Sequence, residues 1–322
     1  METSHLTDGR YAAIDIGTVT CRLMVADVHD GAIEVLAKEY RITNLGEGVD
    51  ATRELSTAAM QRVRDALVDF LYVRDTFDTL EHPILHTMAV ATSAARDARN
   101  ADEFEAMLAQ IGVQLAVISG EEEAALTFAG ASARMRGQRV MVVDVGGGST
   151  ELSIGVAGDA PEASHSFDIG CRRATERFLH ADPPTQEEMR AASAWMSEAF
   201  ATWLAEVRRA GVQPPERMLA VAGTATTAVS IRERMEVYDS ARVDGARVNR
   251  EDLDDITVLL ARLPLAERRD VVGLDPGRAP VIVAGMLILQ SVLDEAHMDA
   301  FIVSESDILD GMILHCARAR QR

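Results

Sequence analysis

The sequence predicts an α/β fold that is built twice along the chain. Strands alternate with helices, both halves show the same order of elements, and each half has an apolar strand that ends in an aspartate before a glycine turn. The aspartates are Asp15 and Asp144, and the glycine turns begin at Gly17 and Gly146. A chain of 322 residues is long enough for two domains with separate cores.

The first half is predicted to begin with three strands joined by tight turns. Met60, Val63 and Leu67 then recur on one face of a helix. The acidic residues 121–123 predict the first turn of a later helix, because negative side chains stabilise the positive N-terminal end of a helix dipole. In chain order we predict strands near 11–17, 22–28 and 33–40, a helix near 56–74, a strand at 84–91, a helix at 102–111, a strand at 113–118 and a helix at 121–134.

The second half repeats this order. Met189, Met196 and Trp203 lie at helical spacing in a long helix, and an apolar segment that opens with Pro280 predicts a buried helix. We predict strands near 139–145, 151–157 and 163–169, a helix at 185–209, a strand at 218–221 followed by a helix, a helix at 280–293, a strand at 301–303 and a basic helix at 310–320. The expected domains are 1–137 and 138–303, with a final helix, about 304–322, that packs back on the first domain.

Composition limits the class of protein. With 48% apolar and 26% charged residues the chain is an ordinary globular protein, and a net charge of −19 argues against binding duplex nucleic acid. The polar start lacks the apolar segment of a signal peptide, and no apolar run approaches the roughly 20 residues of a membrane span. Three cysteines at unrelated positions predict neither disulfides nor a zinc site. We expect a cytoplasmic protein without a membrane partner.

The two glycine turns have a structural and a functional interpretation. In the structural one, each is a hairpin whose aspartate accepts hydrogen bonds from turn N–H groups. In the functional one, glycine lets backbone N–H groups approach an anion, and the aspartate holds a divalent cation against it. Because the turn occurs twice, we favour two domains that clamp one phosphorylated ligand from opposite sides.

Two further segments have polar residues where a predicted element begins. Thr92 and Ser93 follow a strand and could donate hydroxyl and N–H groups to an anion, with Arg96 beside them; the alternative is a capped short helix with solvated arginines. The acidic run at 121–123 is typical of helix capping, but a phosphoanhydride hydrolase also needs one carboxylate to orient or deprotonate water. Successive helical residues point about 100° apart, so one of the three acids can face a given site.

Taken together, these segments resemble the exopolyphosphatase/guanosine pentaphosphate phosphatase family. The family belongs to the actin, sugar-kinase and heat-shock-chaperone superfamily. The motifs that carry the resemblance are I-D-I-G-T from Ile14, A-T-S-A from Ala91, I-S-G-E-E-E-A from Ile118, D-V-G-G-G-S-T-E from Asp144 and Gly223-Thr224. The resemblance implies two duplicated ribonuclease-H-like domains with a cleft between them. It also implies hydrolysis of a terminal phosphoryl group from polyphosphate or guanosine pentaphosphate with Mg²⁺ or another divalent cation.

The resemblance also implies roles for individual residues. The catalytic carboxylate falls on Glu123, with Glu122 as the alternative assignment. The metal ligand is Asp144, with Asp15 and Glu151 as helpers. The substrate-binding residues are Gly17, Thr18, Arg22, Ser93, Arg96, Gly146, Gly147, Gly148 and Ser149.

The chain departs from the family pattern at two positions. Val19 replaces an asparagine of the first turn, and Asp244 replaces a histidine. Because of Val19, one alternative is a regulator that binds guanosine tetraphosphate or pentaphosphate without efficient hydrolysis. The other is an ATP-dependent kinase of the same superfamily, since Gly223-Thr224 corresponds to the segment with which those proteins contact adenosine. A homodimer is the expected assembly because dimers are the commonest one.

Overall fold

The fold is taken from a computed structural model, which describes residues 6–319. The chain divides into two compact units. Ala131–Ser306 forms one unit, and the described residues on either side of that segment form the other. The domain limits expected from the sequence, 1–137 and 138–303, stay predictions.

The first unit is built on a five-stranded sheet. Its strands are β1 (Gly9–Ile16), β2 (Thr20–His29), β3 (Ala32–Ile42), β4 (Ile84–Ala91) and β5 (Leu115–Val117), in the order β3-β2-β1-β4-β5. The first three strands pair antiparallel, whereas β4 and β5 are parallel to β1. Its helices include α1 (Val49–Thr52), α2 (Thr57–Phe77), α3 (Ser93–Asp97), α4 (Ala101–Ala109) and α5 (Gly120–Ala131).

The second unit repeats this plan with one added strand. Its strands are β6 (Arg139–Val145), β7 (Thr150–Val156), β8 (Ala163–Phe167), β9 (Arg217–Val221), β10 (Arg247–Asn249) and β11 (Ala300–Val303), in the order β10-β11-β9-β6-β7-β8. Its helices are α6 (Cys171–Phe178), α7 (Gln186–Arg209), α8 (Ala222–Arg232), α9 (Ser240–Val243), α10 (Arg250–Ala261), α11 (Leu265–Arg268) and α12 (Ile282–Ala296).

Both sheets share one topology. In each, three antiparallel strands come first, and two parallel strands follow on the other side of the first strand: β4 and β5 in one sheet, β9 and β11 in the other. The strand β10 extends the second sheet antiparallel to β11. The α/β class and the duplicated ribonuclease-H-like topology predicted from the sequence are therefore confirmed.

A final helix, α13 (Ile308–Ala319), packs on the first sheet. Tyr11, Ala13 and Met24 form one buried cluster with Leu309 and Met312 of this helix. The opposite face of the sheet is covered by α2 and α4. Both faces of β1 are thus buried. Arg320, the last residue of the helix predicted at 310–320, lies outside the described residues.

Two glycines allow α13 to approach α5 at backbone distance. A Cβ atom on Gly311 would overlap the carbonyl oxygen of Leu126, and one on Gly130 would overlap the carbonyl oxygen of Asp307. Backbone atoms cannot yield by changing rotamer, so either side chain would force the two helices apart.

We therefore expect Gly311→Ala to destabilise the protein. Alanine gains about 1 kcal/mol of helix propensity, but the overlap with a backbone oxygen costs about 1–3 kcal/mol. The net result is a lower midpoint in urea unfolding. The exposed His315 lies on the same helix, and His315→Ala changes stability by at most about 0.5 kcal/mol. An unchanged midpoint for Gly311→Ala would show that separating the helices costs no more than the helix propensity that alanine gains.

Candidate functional site

The first glycine turn joins β1 to β2. The N–H of Gly17 donates to the carbonyl of Thr20 at 3.0 Å, and the Thr18 carbonyl accepts from Gly46 N at 2.9 Å. The Thr18 hydroxyl is buried and has no hydrogen-bond partner among the described residues. A buried polar atom without a partner is costly, so this hydroxyl suits a bound ligand or water.

Val19, the first departure from the family pattern, is buried within this turn and is 5% exposed. Its carbonyl accepts from the N–H groups of Thr43 and Asn44, both at 3.0 Å. These two main-chain hydrogen bonds hold the turn against the segment that follows β3.

Arg22 lies next to this turn and bridges two buried carboxylates. Its register partner across β1 and β2 is Asp15. Nε and Nη2 of Arg22 donate to Asp15 Oδ2 at 3.0 and 2.7 Å, and Nη1 donates to Asp307 Oδ2. Burial raises the pKa of Asp15, although the nearby Arg22 charge opposes this shift. The guanidinium is thus ion-paired within the first unit.

Asp307 was not singled out from the sequence. It is only 4% exposed, and it precedes the first residue of α13. Its Oδ1 accepts from Leu309 N at 2.9 Å, which is the hydrogen bond of a helix N-cap. A sequence can indicate that Asp307 is the N-cap of a helix, but it does not indicate that Asp307 contacts Arg22.

Glu123 is the inward-facing acid of the three that begin α5. It is 8% exposed, whereas Glu121 and Glu122 are exposed. Glu122 accepts from Ser119 N at 2.9 Å, and this hydrogen bond lowers the pKa of the Glu122 carboxyl. The acidic run thus has both predicted features: Glu122 caps the helix, and Glu123 points inward.

Arg96 holds the Glu123 carboxylate. Its Nη1 donates to Glu123 Oε2 at 3.2 Å and to the carbonyl of Ile118 at 3.0 Å. Ser93, which begins α3, is 2% exposed and lies in the same unit. The helix ends at Asp97, so Arg99 lies beyond it and does not share a helix face with Arg96.

The second glycine turn, Gly146 to Ser149, joins β6 to β7. Gly146 N donates to the Ser149 carbonyl at 3.0 Å, as the equivalent bond does in the first turn. Among residues 6–319, no acceptor is found for the N–H groups of Gly147 and Gly148. Such N–H groups in a turn are suited to an anion.

Residues at the start of α6 donate hydrogen bonds to the carbonyl groups of this turn. Cys171 N donates to the Gly146 carbonyl at 2.9 Å, Arg172 N to the Gly147 carbonyl at 2.8 Å, and Arg173 Nε to the Gly148 carbonyl at 2.8 Å. A Cβ atom on Gly170 would overlap the Gly147 carbonyl. With its carbonyls bound, the turn is fixed in one conformation.

Asp144 and Glu151 are register partners across β6 and β7, so their side chains share one face of the sheet. They are 6% and 2% exposed, and Ser166 Oγ donates to Glu151 Oε1 at 2.7 Å. Carboxylate oxygens are the ligands that Mg²⁺ prefers. This buried pair therefore supplies the type of oxygen that a divalent cation takes as a ligand. Asp15 Oδ2 accepts from Arg22.

A separate acidic group lies at the β2–β3 turn. Among the described residues, Asp8, His29 and Asp30 have ligand atoms within 4.8 Å of one another, and all three are exposed. His29 Nδ1 and Asp8 Oδ2 are 2.7 Å apart. None of the predicted metal ligands belongs to this group.

Asp244, the second departure from the family pattern, has a structural environment. Its Oδ2 accepts from Arg134 Nη1 at 2.5 Å, and its Oδ1 accepts from Glu305 N at 3.0 Å. It therefore connects the start of the second unit with the end of that unit.

The chain is similar to known proteins along nearly its whole length. A family model described as the Ppx/GppA phosphatase family matches residues 24–319. Exopolyphosphatase 2 of Mycobacterium tuberculosis is 39% identical, with 96% of this chain and 98% of that protein covered. Guanosine-5'-triphosphate,3'-diphosphate pyrophosphatase of Aliivibrio fischeri is 29% identical, with 94% of this chain and 58% of that protein covered.

A solved structure has a closely similar fold. The crystal structure of an exopolyphosphatase-like protein superposes with a TM-score of 0.87 at 35% identity, covering 98% of this chain and 99% of that one. Within residues 6–319, no helix has the length and apolar character to cross a membrane.

Proposed function

The chain belongs to the Ppx/GppA phosphatase family, and on this premise we propose that it hydrolyses phosphoanhydride bonds. The reaction releases terminal orthophosphate from inorganic polyphosphate or from guanosine pentaphosphate. The observation that carries the proposal is the buried carboxylate of Glu123 at the start of α5, which accepts a hydrogen bond from Arg96. A relative of the chain is named exopolyphosphatase.

The relatives favour a hydrolase over the two alternatives. The Mycobacterium tuberculosis protein is named an exopolyphosphatase, and the Aliivibrio fischeri protein is named a pyrophosphatase. Neither name describes a kinase or a regulator without activity. The substrate class proposed for this chain rests on those names and on the two glycine turns, which suit a phosphorylated ligand.

In the proposed reaction, Glu123 orients a water molecule and accepts its proton as the water attacks the terminal phosphorus. The bond from that phosphorus to the bridging oxygen breaks, and the shortened chain leaves. Arg96 fixes the direction of the Glu123 carboxylate. Such catalysis depends mainly on positioning and on charge stabilisation.

The two glycine turns would bind the phosphoryl oxygens. In the second turn, Gly147 and Gly148 offer N–H groups, and Ser149 offers a hydroxyl. In the first turn, Gly17 shapes the hairpin and the buried Thr18 hydroxyl is available for a hydrogen bond. The roles of Arg22 and Ser93 as phosphate contacts also belong to this proposal.

Asp144 and Glu151 would hold Mg²⁺, and the helper role that the resemblance implies for Asp15 also belongs to this proposal. When bound, a divalent cation neutralises charge on the phosphoryl oxygens. The buried carboxylate pair across β6 and β7 supports this assignment.

A cytoplasmic location and a homodimeric assembly are further parts of the proposal. Light scattering after size-exclusion chromatography measures the assembly.

Release of orthophosphate from four substrates tests the function. Long polyphosphate, short polyphosphate, guanosine pentaphosphate and ATP are compared side by side, each with Mg²⁺ and with a chelator. We expect release from a polyphosphate or from guanosine pentaphosphate that requires the cation. Transfer from ATP to a sugar hydroxyl without release from polyphosphate would favour the kinase. Binding of guanosine tetraphosphate without any release would favour the regulator.

A further inference from the structure

The side chain of Arg22 lies on the face of the first sheet that α13 covers. Side chains alternate along a strand, so Asp15 is on the same side of β1 as Tyr11 and Ala13. Those two residues pack with Met312 of α13. Arg22, the register partner of Asp15, shares this face. The start of α13 is therefore within reach of the Arg22 guanidinium.

Asp307 divides its carboxylate between α13 and Arg22. One oxygen, Oδ1, accepts from Leu309 N at 2.9 Å, and the other accepts from Arg22 Nη1. The Asp307 main-chain N–H donates to Asp310 Oδ2 at 3.1 Å. Because both oxygens and the main chain are bound, the side chain is held in one orientation.

The charges around Asp307 keep it ionised. Burial alone would raise the pKa of the Asp307 carboxyl, but the charges of Arg22 and Lys38 outweigh burial and the pKa lies below its usual value. The Arg22 guanidinium is consequently held from two sides, by Asp15 at Nε and Nη2 and by Asp307 at Nη1. Two carboxylates on different edges of a planar fork fix its plane as well as its place.

The position of Asp307 is tied to the helix that carries Glu123. Gly130 of α5 lies against the Asp307 carbonyl, and Gly311 of α13 lies against the Leu126 carbonyl. These close approaches place the main chain of α13 directly against that of α5. Asp307 and the helix that carries Glu123 are therefore packed against each other.

We propose that Asp307 is a positioning residue that fixes the Arg22 guanidinium relative to Glu123. It acts through Arg22 and does not touch the substrate. This role rests on the proposed function, in which Arg22 contacts the phosphoryl oxygens. Without Asp307, the guanidinium would lose the contact that holds Nη1 and, with it, its fixed orientation.

A double-mutant cycle tests the proposal. Asp307→Asn removes the charge but keeps a residue that is among the best N-caps, so α13 stays capped. We expect this change to lower kcat/KM for phosphate release from polyphosphate by about 10–100-fold, the cost of a misplaced contact. In an Arg22→Met background the same change should alter kcat/KM by less than about twofold, because residues that act as one unit are not additive.

The outcomes separate this role from a structural one. Equal losses in both backgrounds, or no loss in either, would overturn it. Asp307→Ser, which also keeps a cap, should reproduce the loss seen with Asn.

Binding of tripolyphosphate, measured by calorimetry on the same four proteins, covers the case in which the wild type releases no phosphate. Binding without release contradicts the proposed function. The positioning role then requires that Asp307→Asn weaken binding at least about fivefold in the wild type and less than about twofold in the Arg22→Met background. Neither release nor binding would overturn both.

Discussion

Glu123→Gln lowers the turnover number for phosphate release by about 10²–10⁴-fold if Glu123 is the general base. Glutamine is nearly the same size and can still accept from Arg96, but it cannot take a proton from water. The substitution therefore leaves the buried site filled and removes only the proposed chemistry. Initial rates of orthophosphate release at saturating polyphosphate measure the effect.

The neighbouring acids provide matched controls. Glu121→Gln and Glu122→Gln each remove one exposed carboxylate from the same helix turn, so both should keep turnover within about twofold while changing the local charge equally. A large loss for Glu122→Gln with near wild-type turnover for Glu123→Gln would transfer the catalytic role to Glu122, the alternative assignment.

Asp144→Asn is expected to raise the Mg²⁺ concentration needed for half-maximal activity by at least about 10-fold. Asparagine has the same shape but lacks the charge that a divalent cation requires, so fewer molecules hold the cation at a given concentration. A titration of activity with Mg²⁺ after treatment with a chelator gives the value. Activity that survives full chelation would remove the metal from the mechanism.

The control for this substitution is Asp159→Asn. Asp159 lies in the same unit and is exposed, so its loss changes the net charge equally without altering the buried pair. We expect an unchanged Mg²⁺ titration. Identical shifts for both variants would mean that the effect comes from the overall charge of the protein and not from ligation by Asp144.

The regular elements were largely predictable because hydrophobic periodicity is a local signal. The strand at 84–91 has the predicted bounds, and so does the strand at 139–145. The helix α10 was missed although Leu253, Ile256 and Leu260 lie at helical spacing after a capping box. The helix α6 carries few apolar residues and gives a weaker periodic signal.

The residues of the site were predictable from motifs, but their partners were not. Glycine turns and an acidic helix start are contiguous in sequence, so their meaning can be read locally. Asp307 lies 285 positions from Arg22, and no local pattern indicates that the two side chains meet. Likewise, the ion pair of Arg96 with Glu123 depends on how α3 and α5 pack.

The covering of the first sheet by α13 has a consequence for how the protein is made. A ribosome releases residues in order, so the strands of the first sheet emerge early while the helix that shields their second face emerges after the whole second unit. During translation that face is bare, and Arg22 lacks its contact with Asp307. Chaperones that hold apolar surfaces would therefore find a target there until α13 has emerged from the ribosome.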